Sequence, residues 1–343
     1  MTNKIPITQK TSNQDLVNDI TGLLLRQQEE IQQLKQQTGN QLAEVNALRQ
    51  LKLLHSQFYV GDGKQIPSLS FAKTTGTNIS IDKNKAHLFA KEHTLLHLQS
   101  NSVCTWIPKV GCTNMRYSIP LANGAISTPE DIEWVHSNNN SFTADNKELL
   151  KANYAFVVLR NPFKRLVSFF LDKLCHDDPN LSDKSYSVAK KLFKASESTS
   201  FLDFVKTLWL EPELINADIH VKPQTDFLIY NKYSDYFCLE NYEQAIAKIF
   251  EKIGLKVIDT RGMGSGNTTY RLVENNDITY NTKSSEISAL LKIGQKPNIK
   301  NMYSDEICKM VGVLFLPDII LYLNEVENSK NEMSYWMNSI IQS

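Results

Sequence analysis

Two kinds of hydrophobic pattern divide the chain. Over residues 13–55 the apolar positions Val17, Ile20, Leu24, Ile31, Leu34, Val45 and Leu48 recur near heptad a and d spacing, in a background of Gln, Glu and Lys. That spacing predicts one long helix. Gln27, Thr38 and Gln41 interrupt the seam, and Gly39 weakens its centre. Two outcomes stay open: a coiled coil that makes a homodimer, or an amphipathic helix folded back on its own domain. Residues 56–100 are mixed, with Gly, Pro, Ser, Thr and Asn, and read as a connector with short strands. From residue 101 the pattern becomes compact and alternating. The run 102–107 predicts a strand and 112–121 a helix, while 154–159 (YAFVVL) has the β-branched and aromatic make-up of a buried strand. Pro162 stands where a helix can begin, and 163–174 has helical apolar spacing. Further helices are predicted at 201–208, 242–253 and 304–314, with a short strand at 236–239. The polar, Gly-rich stretch 261–281 reads as a long loop. The fold class is therefore α/β, a central parallel sheet flanked by helices over 101–325, preceded by the long helix. Residues 326–343 form a polar tail ending in a WMNSII cluster with no assignable role.

The chain has 343 residues and a formal net charge of zero, with 41% hydrophobic and 22% charged residues. This is an ordinary globular composition. The missing basic excess argues against a nucleic-acid partner, so any anion site must be built locally from a few cations and backbone N–H groups. Five cysteines without a CxxC pair argue against a disulfide scaffold or a structural metal site. No run of about 18 apolar residues is present for a transmembrane segment, and the first twenty residues lack the core of a signal peptide. The expected location is a cytoplasm, with peripheral membrane association as an option.

Two segments carry candidate chemistry. VCTWIPKVGCTNMRYSIPL reads strand, tight loop, helix, the loop being Pro108, Lys109, Val110, Gly111, Cys112, Thr113 and Asn114. Such a loop aims successive N–H groups and a helix N-terminus at an anion, with Lys109 as a point charge. The Walker order is GxxxxGK[ST]; here Lys comes first and Gly and Thr follow. YAFVVLRNPFKRLVSFFLDKL repeats the strand–turn–helix plan. Arg160 ends the strand, and Arg165 and Ser168 share a helix face at i, i+3. Adjacent parallel strands would bring both loops to one sheet edge, where a ligand with phosphates at two ends would fit.

The pair IPKVGCTN and LRNPFKRLVS resembles the carbohydrate sulfotransferases of the chondroitin and HNK-1 type, which use 3′-phosphoadenosine 5′-phosphosulfate (PAPS). The family's first motif is similar to PKxACTN and its second to VRxPFxRLxS. Downstream, the segments IHVKPQ (219–224), DYFCLE (235–240) and Pro317-Asp318 with Tyr322 are similar to further family segments, so the resemblance covers 101–322. Gly111 stands for the family's common Ala and Met115 for a common Trp. The resemblance implies a P-loop-like core. It assigns the 5′-phosphosulfate to Pro108, Lys109, Val110, Gly111, Cys112, Thr113 and Asn114, and the 3′-phosphate to Arg160 and Ser168 with Arg165 in support. It also implies a carbohydrate acceptor and no metal.

Sulfuryl transfer needs charge stabilisation at the leaving oxygen, a role for Lys109, and a base for the acceptor hydroxyl. His136, in IEWVHSNNN, is the first candidate base, since the family carries a similar His between its two motifs. His220 is the second. Lys184, Lys190, Lys191 and Lys194 are candidates for holding an anionic acceptor. Two other readings remain: a P-loop nucleotide kinase or phosphotransferase, and a non-catalytic coiled-coil binding protein.

Overall fold

The computed structural model describes residues 70–341 except 75–76, 129–130, 176–184, 262 and 264–271. The coiled-coil or dimerisation helix expected over 13–55 lies outside the described residues. The chain divides into a unit spanning Pro67–Trp336 and a second made of Met1–Ile66 with Met337–Ser343. The central sheet and both candidate loops belong to the first unit.

Four strands form that sheet in the order β1 (Thr94–His97), β2 (Ser102–Thr105), β3 (Tyr154–Leu159), β4 (Asp235–Cys238). β1 pairs antiparallel with β2, whereas β2, β3 and β4 run parallel. The register sets Cys104 beside Phe156 and Val157 beside Tyr236. Residues 155–159 of β3 are all buried, as a strand covered by helices on both faces requires. The mixed stretch before residue 100 does more than connect. It supplies helix α1 (Lys85–Glu92) and the whole of β1, whose four residues are buried. The short apolar run TLLH was masked by its polar surroundings.

Helix α2 (Cys112–Ala122) follows β2, and the short α3 (Ile132–Ser137) packs on it through Tyr117, Ile132 and Val135. Helix α4 (Pro162–Phe169) follows β3. Pro162 occupies its first position, where no backbone donor is needed, and the Asn161 side chain caps it by accepting from the N–H groups of Phe163 and Lys164. The helix predicted to run to 174 instead changes pitch: residues Phe170–Leu174 form one π-helical turn. Aromatic packing pins this region. Phe169, Phe170, Phe193 and Phe204 are almost fully buried, with ring centroids 5.4 to 5.9 Å apart along the cluster. Burying each such ring contributes about 2–3 kcal/mol.

After α5 (Phe201–Leu210) and the short α6 (Gln224–Phe227), the chain enters β4 and later a small parallel pair, β5 (Val273–Asn275) with β6 (Gln295–Pro297). Helix α7 (Leu316–Glu325) brings Asp318 back against the start of α6. The expected polar tail is in fact helix α8 (Ser329–Ile341). Its Trp336 stacks on Phe163, rings 5.3 Å apart and nearly parallel, so the WMNSII cluster has a packing role at its first residue. Among the described residues no helix is long and apolar enough to cross a membrane.

Candidate active site

Three parallel strands end at one edge, and each delivers its next residues there. From β2 the chain enters the loop that leads into α2. Lys109 and Gly111 both take left-handed backbone, at φ 66° and 69°. A Cβ on Gly111 would sit 3.1 Å from Leu239 Cδ1, so glycine is favoured twice over, for conformation and for space. The turn leaves the N–H groups of Lys109, Val110 and Gly111 without an acceptor among the described residues. They stand beside the N-terminus of α2, a backbone concavity suited to an anion. Val110 is buried as packing, Cys112 and Thr113 are half-buried, and the Thr113 hydroxyl has no partner among the described residues. Asn114 also has a structural part. Its oxygen accepts from Thr260 Oγ1 at 2.6 Å and from the Thr260 N–H at 3.2 Å, tying the first turn of α2 to the segment at 260.

The residues after β3 grip that loop from behind. Arg160 Nη1 donates to the Lys109 carbonyl at 2.8 Å. Arg165 Nε donates to the Pro108 carbonyl at 3.1 Å and its Nη1 to the Lys222 carbonyl at 2.8 Å. Arg165 is 3% exposed, yet its Nη2 has no partner among the described residues. A buried, half-used guanidinium fits an anionic oxygen as its missing acceptor. Burial pulls the Arg165 guanidinium down to about 10 against the opposing pull of the Asp318 carboxylate, so it stays charged at neutral pH. Ser168, partly exposed on the second turn of α4, has a free hydroxyl among the described residues.

Residues from three later segments lock this arrangement. Gln224 binds both backbone groups of Arg160, accepting its N–H at 3.0 Å and donating to its carbonyl at 2.9 Å. Asp318, fully buried, accepts the N–H groups of Gln224 and Thr225 at 2.8 and 3.0 Å. Glu240, just past β4, accepts from the Asn161 N–H at 3.2 Å and the Tyr322 hydroxyl at 3.0 Å.

A chain of charges faces the loop. The Lys109 ammonium meets the Asp172 carboxylate at 2.6 Å, and Lys173 lies 3.5 Å from the same carboxylate. His220 joins them. Its Nδ1 is 2.8 Å from Asp218 Oδ1, which also accepts the His220 N–H at 2.7 Å. Burial pushes the His220 imidazole below its usual range; Asp218 opposes that shift, and the charges of Lys109 and Lys173 add to it. The ring is thus a neutral imidazole near pH 7, with Asp218 fixing one nitrogen and the other without a partner among the described residues. Among the described residues no group of three or more His, Cys, Asp or Glu side chains is placed to hold a metal ion.

The model of the sulfotransferase family matches residues 93–308, well over half of the chain. The chain belongs to the sulfotransferase family. It is similar to carbohydrate sulfotransferase 10 of Homo sapiens, 36% identical over 136 residues, covering 33% of this chain and 38% of that relative. The Mus musculus protein of the same name is 35% identical over 136 residues with the same coverage, and that of Xenopus laevis 38% identical over 80 residues, 20% of this chain and 22% of the relative. The matches therefore span less than two fifths of these curated relatives. No solved structure matches the chain.

In this member of the sulfotransferase family the two expected loops do meet at one edge, and His220 stands within electrostatic reach of Lys109. His136 lies near the end of α3, which packs against α2; its side chain lies outside the described residues. Of the candidate acceptor lysines, Lys184 lies outside the described residues and Lys194 is paired with Glu211. Sequence reasoning missed Asp172, Asp218, Gln224, Glu240 and Asp318. For Asp172 the signal was present: it follows Arg165 and Ser168 at helical spacing. Gln224, Glu240 and Asp318 lay inside the resembling segments, but their partners are 64 to 94 residues away in sequence, beyond what spacing can show.

Proposed function

We propose that this sulfotransferase moves a sulfuryl group from PAPS to a hydroxyl of a carbohydrate acceptor. The observation that carries the reading is the double tie between the loops, in which Arg160 and Arg165 hold the carbonyls of Lys109 and Pro108. It fixes two cationic sites at a set spacing, as a ligand with phosphates at both ends of a nucleoside requires. When bound, PAPS supplies the activated sulfuryl group and a phosphate leaving group. The N–H groups of residues 109–111 and the N-terminus of α2 receive the 5′ end, and the Lys109 ammonium neutralises charge gathering on the leaving oxygen. Arg165 Nη2, Arg160 and the Ser168 hydroxyl receive the 3′-phosphate.

His220 takes the proton from the acceptor hydroxyl. Its neutral state, its ring nitrogen without a partner among the described residues and its place within electrostatic reach of Lys109 favour it over His136. Asp218 holds the tautomer in which Nδ1–H donates, as a carboxylate does for a catalytic imidazole. Thermal-shift titration with adenosine 3′,5′-bisphosphate against ATP with Mg²⁺ tests the donor site. Stabilisation by the bisphosphate is expected, and stabilisation by ATP with Mg²⁺ alone overturns the reading. Transfer of label from PAPS into a panel of glycans then tests the acceptor class.

A further inference from the structure

Lys109 and Asp172 form an enclosed ion pair whose two members are not equally committed. The Lys109 side chain is 10% exposed and its partner is the Asp172 carboxylate, 2.6 Å away. Asp172, in contrast, has two cations: Lys109 from the loop and Lys173 from its own π-helical turn, 3.5 Å away. Lys173 is itself held in place, buried, with its ammonium 4.4 Å from the centre of the Tyr186 ring. If Lys109 moves to another anion, Asp172 keeps Lys173 and no buried carboxylate is stranded. A lone buried pair could not separate on those conditions, because breaking it would leave an uncompensated charge. The π-turn is what makes this possible. By inserting a residue's worth of extra pitch after α4, it aims two consecutive side chains, Asp172 and Lys173, at one place; π-turns of this kind concentrate at functional sites.

We propose that Asp172 is a positioning residue that holds Lys109 as a stand-in anion until the donor's 5′ group replaces it, with Lys173 as the cation that takes Asp172 over. This rests on the reading of the 109–111 loop as the donor's 5′ site. The exchange makes Lys109 available only when its proper anion has arrived, and returns it to Asp172 when the spent donor leaves. Two effects on donor affinity follow, of opposite sign. Removing the Asp172 charge removes a competitor, so the anion binds more tightly. Removing the Lys173 charge leaves Asp172 dependent on Lys109, so the anion binds more weakly.

The test is isothermal titration of the full chain with adenosine 3′,5′-bisphosphate, which needs no turnover. Asp172→Asn is expected to lower the dissociation constant about tenfold, and Lys173→Met to raise it about tenfold. In the Lys109→Met background, Asp172→Asn is expected to change nothing. An unchanged or weaker affinity in a folded Asp172→Asn protein overturns the proposal, as does an unchanged affinity in Lys173→Met. The latter variant keeps the Lys109–Asp172 pair and so remains informative if Asp172→Asn does not fold. A parent protein that binds no bisphosphate at all sinks the donor reading itself, and a parent that binds it while both variants match the parent sinks only the exchange.

Discussion

Arg165 and Lys109 carry the same charge to the same edge of the sheet, and they hold it in different ways. Arg165 is fixed: two of its nitrogens bind carbonyls of separate segments, and α4 beneath it is capped by Asn161 and pinned by the phenylalanine cluster. Its Nη2 has no partner among the described residues. Lys109 is held by one carboxylate, on a backbone turn that a non-glycine residue adopts at some cost. The lesson is a division of labour. An arginine fork can serve as a structural tie and a ligand site at once, because its donors are separate and rigidly spaced. A lysine offers one point of charge, which must leave one partner to take another. The second loop therefore sets the geometry of the first, and the first carries the charge that has to change partner.

The strongest way to break that comparison is Lys109→Ala. If the lysine acts on the leaving group, transfer from PAPS falls about 10³-fold while the thermal transition stays near the parent's, because Asp172 keeps Lys173. A folded variant that transfers at the parent rate removes the role. Arg165→Met should show the opposite balance. It deletes two hydrogen bonds from a charged donor, each worth about 1.5–3 kcal/mol, and leaves the carbonyls of Pro108 and Lys222 unpaired. Unfolding in urea should show a loss of about 3 kcal/mol together with weakened bisphosphate binding. A fully stable variant would mean that the tie is not what positions the loop.

The histidine sharpens the comparison from the acceptor side. His220→Ala is expected to lower kcat about 10²-fold with bisphosphate affinity unchanged, and His136→Ala to do much less. The reverse outcome would place the base on α3. The base works as the neutral ring, so its titration should lower kcat on the acid side, below the ordinary histidine range, because burial lowers the His220 pKa. Asp218 opposes that lowering, so Asp218→Asn should move the acid limb to still lower pH and reduce the plateau. A limb that does not move would make Asp218 a purely structural neighbour.

Much of this was legible in the sequence, for reasons that are local. Strand β3 announced itself as YAFVVL, and the two strand–loop–helix units followed from their own residues. Parallel pairing of neighbouring strands was enough to bring Lys109 and Arg160 to one edge. What stayed hidden depends on contacts far apart in the chain. Gln224 acts as a backbone partner for Arg160 across 64 residues, and Asp318 fixes Gln224 from 94 residues further on. A glutamine and an aspartate give no sign in sequence that their partners are main-chain groups. Helix α8 was hidden for another reason: its polar surface outweighs the few residues, such as Trp336, that it buries. The π-turn was hidden because its residues continue the helical spacing of α4.

Gly111 gives the smallest expected effect and the closest comparison between this chain and its family. The resemblance sets glycine here against a common alanine, which on residue size alone is a mild exchange. The backbone makes it less mild. At φ 69° an alanine pays the left-handed penalty, and its Cβ comes within 3.1 Å of Leu239 Cδ1, which must shift by a few tenths of an ångström. Gly111→Ala should therefore cost about 1–2 kcal/mol of stability, read as a lower urea midpoint. Leu239→Ala removes the crowding but not the conformation. If crowding dominates, the double variant Gly111→Ala with Leu239→Ala loses less than the sum of its parts; strict additivity would assign the cost to the backbone alone. Either way bisphosphate binding should weaken with Gly111→Ala, because the N–H groups of residues 109–111 face the anion only while that left-handed turn is kept.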